Sequence, residues 1–193
     1  MGNGRFSSHS RPRRRPAGGG RAQDPAPVGL GLKRDPSLIA LSRDHHFALV
    51  QAQALKRAAE GPQDAQGSVL AAARTFLAHH SGELTPHMEE EEQVLLPRAA
   101  SADPEGAERI LAEHLKIHAL AAELKAALEA GREVRGLLKQ IGVLLDDHVR
   151  FEERAFFMAV QAMLKPEALK NLGKALLDRR QARLGGSEAH RHG

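Results

Sequence analysis

Histidine and glutamate side chains recur at a spacing of four residues in three segments of this chain. The pairs are His87 and Glu91, His114 and His118, and His148 and Glu152. Residues four apart on an α-helix lie one turn above each other on the same face, so each pair can present two side chains to one neighbour. His45 adds a single imidazole to an earlier segment, in register with the apolar Leu41 and Ala48. Imidazole and carboxylate groups are common ligands of transition metals.

Five histidines on apolar helix stripes are difficult to explain as purely structural residues. Burying each of them without a partner would cost about 1–3 kcal/mol. A shared ion would satisfy all of them at once. The pattern therefore predicts a metal site with the ligands His45, His87, Glu91, His114, His118, His148 and Glu152.

Other classes of metal site fit the spacing less well. A carboxylate-bridged ferritin-like site needs Glu-x-x-His on two helices, and no histidine in this chain has a glutamate three residues before it. A zinc-protease helix needs His-Glu-x-x-His, whereas Leu115 follows His114. A single zinc takes about four ligands. Mixed imidazole and carboxylate ligands in larger number suit iron or, with a weaker case, manganese.

These residues lie on segments with the periodicity of helices. The first predicted helix begins at Asp35-Pro36-Ser37 and ends at Gly61-Pro62, because an acidic cap and an early proline favour a helix start. The others span about 65–99, with a kink or break expected at Gly82 and Pro86, then 104–130 and 133–164. Short connections between long helices predict an all-α, up-and-down antiparallel four-helix bundle. The second and fourth helices also repeat one motif, His-x-x-x-Glu-Glu followed by an apolar pair.

Composition divides the chain into three parts. Residues 1–36 are rich in Gly, Pro, Ser and Arg and carry a net charge of +6, whereas the whole chain carries +4. They are expected to be a disordered basic tail. Residues 37–164 form the predicted bundle, which is mildly acidic and for which nucleic acid is not an expected partner. Residues 165–193 are expected to form a short helix, about 167–183, and a polar tail.

Several function classes are excluded or disfavoured by composition. The chain has no Cys, Trp or Tyr, which excludes disulfides, thiol catalysis, iron–sulfur clusters and a tyrosyl radical. It has no apolar run of 18 residues, so no membrane span is expected. Its basic start lacks the apolar stretch of a secretory signal, and a cytoplasmic location is expected.

The sequence resembles the hemerythrin-like, or HHE cation-binding, family over about residues 37–164. The matching motifs are Asp44-His45, His87-x-x-x-Glu91, Glu113-His114-x-x-x-His118 and His148-x-x-x-Glu152-Glu153. The resemblance implies a non-heme di-iron centre in which Glu91 and Glu152 bridge two iron ions and the five histidines are terminal ligands. Two alternatives stay open, Glu153 in place of Glu152 and His46 in place of His45.

The resemblance also implies a function. Two bridging carboxylates, a bridging oxygen and five histidines leave one position open on a pair of octahedral irons. O2 or a similar small ligand can bind at such a position. The expected function is O2 binding for sensing, storage or delivery. The alternative is a stress-response enzyme that acts on peroxide or nitric oxide or repairs iron centres.

Overall fold

The computed structural model describes residues 1, 33–62 and 64–189, and the regular elements in this part of the chain are all helical. This confirms the predicted all-α class. The predicted disorder of the basic tail falls on residues 2–32, outside the described residues. Residues 33–36, assigned above to the tail, are part of the described structure. None of the described helices is both long and apolar enough to cross a lipid bilayer.

Helix α1, Ile39–Glu60, follows a short 3₁₀ turn, Pro36–Leu38. The Asp35 side chain accepts a hydrogen bond from the Ser37 amide and so caps this turn, as the sequence predicts. The buried face of α1 includes the predicted register of Leu41, His45 and Ala48 and extends it by two residues. It consists of Leu41, His45, Ala48, Ala52 and Leu55.

The second bundle helix runs from residue 66 to residue 99 and contains two wide π-helical turns. It is composed of α2 (Gln66–His79), the turn His80–Leu84, α3 (Thr85–Glu90), the turn Glu91–Leu95 and α4 (Leu96–Ala99). Pro86 and Pro97 each lie two residues after a π turn. A proline clashes with the carbonyl group one turn before it, and a wider turn relieves this crowding. The helix therefore continues through the predicted break.

The third and fourth bundle helices complete the set. The third, α5 (Pro104–Glu129), is capped by Asp103, which accepts a hydrogen bond from the Gly106 amide. The chain then turns at Gly131, whose φ of 63° is a conformation that glycine adopts without strain. The fourth consists of α6 (Arg135–Phe151), a π turn (Glu152–Phe156) and α7 (Phe157–Met163).

The four bundle helices surround a common interior. Helix α1 packs against α2 and α6, and α5 packs against the same two helices, which places the second and fourth bundle helices between the first and third. The core consists of two apolar clusters. Along α1, Leu41 belongs to one cluster and Ala48 to the other, with His45 between them. A polar layer therefore separates the two clusters.

A further helix, α8 (Pro166–Ala189), packs against one of these clusters and is longer than predicted. It contributes the buried side chains Leu169, Leu172 and Leu176. Gly173 lies so close to the start of α1 that a Cβ atom added to it would be 2.8 Å from the Ser37 Cβ atom. The absence of a side chain at this position lets α8 approach the first bundle helix.

Close packing of α1 and α6 depends on Gly142. A Cβ atom at this position would lie 2.8 Å from the Lys56 Cγ atom and 2.9 Å from the Ala52 carbonyl oxygen. We predict that Gly142→Ala lowers the free energy of unfolding by about 1–3 kcal/mol, the usual effect of overpacking. Gly136→Ala, on the same helix but with nothing within 4 Å of the added atom, is the control and should be neutral or slightly stabilising. Equal urea midpoints for the two variants would contradict this prediction.

Candidate metal centre

The polar layer brings six of the seven predicted ligand residues together. Their ligand atoms form two groups, within each of which all atoms lie within 4.8 Å of one another. Both groups contain Glu91 and Glu152. The first group adds His45 and His87, and the second adds His114 and His148. Each bundle helix thus supplies one histidine, and the second and fourth also supply the shared carboxylates.

The Nε2 atoms of all four histidines point towards the shared carboxylates. In the first group, His45 Nε2 lies 3.0 Å from a Glu152 oxygen and His87 Nε2 lies 3.3 Å from a Glu91 oxygen. In the second group, His114 Nε2 lies 3.4 Å from the other Glu91 oxygen, and His148 Nε2 lies 3.4 Å from Glu152 Oε2. Each glutamate therefore contacts a histidine of both groups, as a residue that bridges two ions would.

Most of these inner atoms form no hydrogen bond of good geometry within the part of the chain that the structure describes. Seven buried atoms of the site have this property. They are the Nε2 atoms of His45, His87 and His114 and both carboxylate oxygens of Glu91 and of Glu152. Buried polar atoms without partners destabilise a fold by about 1–3 kcal/mol each. Metal ions bound between them would satisfy all seven, so the residues present fit a pair of metal ions.

The outer nitrogen of every ring, Nδ1, donates to a carboxylate on a neighbouring helix. The four hydrogen bonds run from His87 to Asp44 (3.2 Å), from His114 to Glu92 (2.8 Å), from His148 to Glu113 (2.9 Å) and from His45 to Glu153 (2.7 Å). Each bundle helix gives one carboxylate to the next helix, and the fourth gives one to the first. We call this closed set the carboxylate ring. Such bonds fix the tautomer and orientation of a histidine that binds metal through its other nitrogen.

Sequence reasoning did not assign these four carboxylates to this role, although a local signal was present. Every one of them directly precedes or follows a predicted ligand residue in the sequence. The three other glutamates around Glu91 differ in their surroundings. Glu92 belongs to the carboxylate ring, and Glu90 is buried and paired with Arg180. Only Glu89 is exposed.

The seventh predicted residue, His118, lies outside both groups. Its Nδ1 atom is 3.0 Å from the Nε2 atom of His80, and the two partly buried rings meet edge to face. Burial and the adjacent His118 and His79 lower the pKa of His80 to about 4. His80 is therefore neutral at ordinary pH and can share a hydrogen bond with another imidazole.

The positions of the two alternative residues differ from those of the preferred ones. Glu152 is fully buried with both oxygens directed to the centre, whereas Glu153 is partly exposed and binds the outer nitrogen of His45. His45 is buried, and the adjacent His46 is exposed. In this arrangement Glu152 and His45 are the residues of each pair that face the polar layer.

The electrostatics of the layer favour charged imidazoles when only protons are available. Burial by itself lowers the pKa of His87, but Glu91 and Asp44 outweigh it and raise this pKa to about 9. Burial also lowers the pKa of His45, but the carboxylates around this ring outweigh burial and raise its pKa well above the usual value. Burial raises the pKa of Glu91, but His87 and the other imidazoles hold it well below its ordinary range. Protons and metal ions therefore compete for the same nitrogen atoms.

A cavity of about 320 Å³ adjoins one side of the layer, between α1 and the second bundle helix. Its lining includes the buried His87 and the exposed side chains of Phe47 and Val50. Its lining residues are Asp44, Phe47, Val50, Gln51, His79, Glu83, Leu84 and His87.

Comparison with known proteins gives two findings. Residues 37–160 match the Hemerythrin HHE cation binding domain. The chain is also 33% identical over 108 residues to a protein of Nostoc sp. (strain PCC 7120 / SAG 25.82 / UTEX 2576) that is named DNA nickase. That match covers 54% of this chain and 31% of the relative, so the chain spans about a third of the relative's length. No solved structure matches the chain.

The raised histidine pKa values lead to a prediction for the metal-free protein. A group whose folded pKa exceeds its unfolded value of about 6.5 stabilises the fold fully below that value and loses this effect as the pH rises through the folded pKa. The melting temperature of chelator-treated protein should therefore fall between pH 6.5 and about 9. With no Cys or Tyr in the chain, few other side chains titrate in this window.

The control is His46→Gln, which removes an exposed imidazole and should leave the pH dependence unchanged. Metal-loaded protein should not show this fall, because imidazoles that bind metal are neutral throughout the window. A metal-free melting temperature that is constant from pH 6.5 to 9 would show that the buried histidines are not protonated.

Proposed function

The chain belongs to the hemerythrin HHE cation-binding family, and we propose that it holds two iron ions at Glu91 and Glu152 and binds O2 or a similar small ligand there. The observation that carries this proposal is the set of seven buried, unpartnered ligand atoms in two groups that share both carboxylates. Two groups with shared carboxylates suit two ions better than one. Imidazole and carboxylate ligands together suit iron.

The surroundings of the site support a small ligand. Four histidines and two shared carboxylates do not fill the positions of two octahedral ions, so ligand positions stay available. When bound, the irons supply these positions and the electrons for redox chemistry. The protein supplies the apolar clusters on both sides of the layer, which exclude water. The cavity that His87 helps to line offers a route for a small molecule.

His118 is part of the proposal only in a second arrangement. It lies one turn after His114 on α5, and its ring is engaged by His80. If His118 leaves His80 and joins the second group, five histidines surround the ions and one ligand position stays open. With four histidines, one more ligand position stays open than with five.

Two roles share these residues. The proposed role is O2 binding for sensing, storage or delivery, and the alternative is an enzyme that acts on peroxide or nitric oxide or repairs iron centres under stress. Both need the same ligands and the same access route. The difference between them is whether the small ligand leaves unchanged.

We predict about two irons per chain after anaerobic reconstitution, measured by metal analysis of desalted protein. Glu91→Ala and Glu152→Ala should each reduce the iron content to one equivalent or less, because each carboxylate contacts histidines of both groups. Glu89→Ala is the matched control, since Glu89 is an exposed carboxylate two residues before Glu91. A single zinc that iron does not replace would contradict the di-iron proposal.

The deciding experiment is a titration of the reduced, iron-loaded protein with O2, followed by visible absorption. One O2 bound per iron pair and released again under vacuum supports the binding role. Rapid turnover of added peroxide, with iron content unchanged, supports the enzymatic alternative. Glu91→Ala should abolish either response, and Glu89→Ala should retain it. Iron-loaded protein that responds to neither O2 nor peroxide would contradict the binding role and the action on peroxide.

A second candidate function is metal-dependent cleavage of one strand of DNA. It is favoured by the likeness to the relative named DNA nickase and by the net charge of +6 on residues 1–36, which suits contact with phosphates. A pair of metal ions can activate water and stabilise the leaving oxygen of a phosphodiester. The match covers only 31% of that relative.

Supercoiled plasmid provides the test of this candidate. Conversion to the open circular form by metal-loaded protein, lost in Glu91→Ala and retained in Glu89→Ala, would support nicking at this centre. Nicking that persists in Glu91→Ala would come from elsewhere, and plasmid that stays supercoiled with wild-type protein would rule the candidate out.

A further inference from the structure

Side chains outside the carboxylate ring contact its members. The carboxylates behind the first ligand group are held more firmly by these contacts than those behind the second. We propose that the two metal positions are unequal. In this proposal Arg34 and Arg180, which lie outside the four bundle helices, make the position at His45 and His87 the one that fills first. The inference rests on the proposed two-metal site and concerns the order in which it is loaded.

Arg180 of α8 holds the carboxylate behind His87. Its Nη2 atom lies 2.5 Å from Asp44 Oδ2, and its Nε atom lies 2.6 Å from an oxygen of the buried Glu90. The Asp44 side chain is 37% exposed. Without Arg180, the Asp44 side chain could rotate towards the solvent, and the Nδ1 atom of His87 would then lose its acceptor.

Arg34 acts in the same way on the other histidine of this group. Its Nη2 atom lies 2.6 Å from Glu153 Oε2, while the other oxygen of Glu153 accepts from His45. The guanidinium group also lies over the ring of Phe157, and Phe157 stacks on His45. Each histidine of the first group is thus supported by its own arginine, through the carboxylate that accepts the hydrogen bond from its Nδ1 atom.

The second group has weaker support. Behind His148, Glu113 pairs with Arg109, whose side chain is 44% exposed and which lies one turn away on the same helix. Behind His114, Glu92 is 36% exposed, and no lysine or arginine of residues 33–62 or 64–183 forms an ion pair with it. Exposed ion pairs contribute little because water and salt screen them.

Apolar packing of α8 against the rest of the protein fixes the positions of Arg34 and Arg180. Leu169, Leu172 and Leu176 of α8 lie in the same cluster as Leu38 and Leu41. The close approach at Gly173 brings α8 against the start of α1. This packing fixes the position of Arg180 and of the segment that carries Arg34, and both side chains are less than 20% exposed.

Two effects of an arginine on a nearby cation oppose each other. Its charge repels the ion, but the carboxylate between them screens this repulsion. Its hydrogen bonds hold the carboxylate, and through it the imidazole, in the orientation that binds metal. Groups that orient a ligand from behind typically change metal affinity by about 10–100-fold. We therefore expect orientation to dominate.

The test is an anaerobic calorimetric titration of the full-length, metal-free protein with Fe²⁺. Wild-type protein should bind two ions with unequal affinity. Arg180→Ala and Arg34→Ala should each weaken the tighter step by about tenfold, at the low end of that range, and leave the weaker step unchanged. Arg109→Ala should leave the tighter step unchanged and weaken the weaker step only slightly, because its ion pair is exposed. Arg179→Ala is the matched control, since Arg179 is adjacent to Arg180 but pairs with the exposed Glu89, and it should change neither step.

The positions are assigned in two variant backgrounds. With His114→Ala and His148→Ala, one ion should still bind, and Arg180→Ala should weaken it. With His45→Ala and His87→Ala, Arg180→Ala should have no effect. Circular dichroism of each metal-free variant checks that the bundle is intact.

The outcomes separate this inference from the proposed function. Wild-type protein that binds no iron, or one ion only, would refute the two-metal site itself. Two ions of equal affinity, or an Arg180→Ala variant in which both steps weaken equally or neither does, would refute the unequal positions and leave the two-metal site standing.

Discussion

The hydrogen bond from a histidine Nδ1 atom to a carboxylate on the next helix is the interaction on which the rest of this site depends. It occurs four times and closes into a ring around the bundle. A bundle helix cannot rotate or slide by one residue without breaking two of these bonds. The ring leaves all four Nε2 atoms on the inside. This ring sets the orientation of each imidazole.

The polar layer is tolerated because apolar packing lies on both sides of it. One cluster is built on α1, α2, α5 and α6, and the other includes the two phenylalanines Phe156 and Phe157 and the leucines of α8. π-Helical turns begin at Glu91 and at Glu152. Each turn adds a residue to the helix, so the apolar pair that follows the shared glutamate can be buried at two adjacent positions. π turns of this kind are frequent at functional sites.

The segments on either side of the bundle belong to the site rather than to its periphery. Arg34 precedes the first helix, and Arg180 lies on the last one. Both contact carboxylates that in turn hold histidines of the same group. This gives an otherwise symmetric centre two unlike halves. A repeated two-helix motif predicts equal halves, and the added segments make them differ.

The sequence by itself determined the helices, the inward stripe and six residues of the centre, because helical periodicity places residues four apart on one face. The stripe of α1 and the motif pairs at His87 and His148 follow directly from that rule. Tertiary structure decided what periodicity leaves open. It placed His118 next to His80. It also placed Glu92 and Glu113 in the carboxylate ring, and Arg34 and Arg180 behind that ring. These contacts join residues from 22 to 136 positions apart. A side chain's choice among several partners within reach depends on how the helices are packed around it, and no local pattern in the sequence records that.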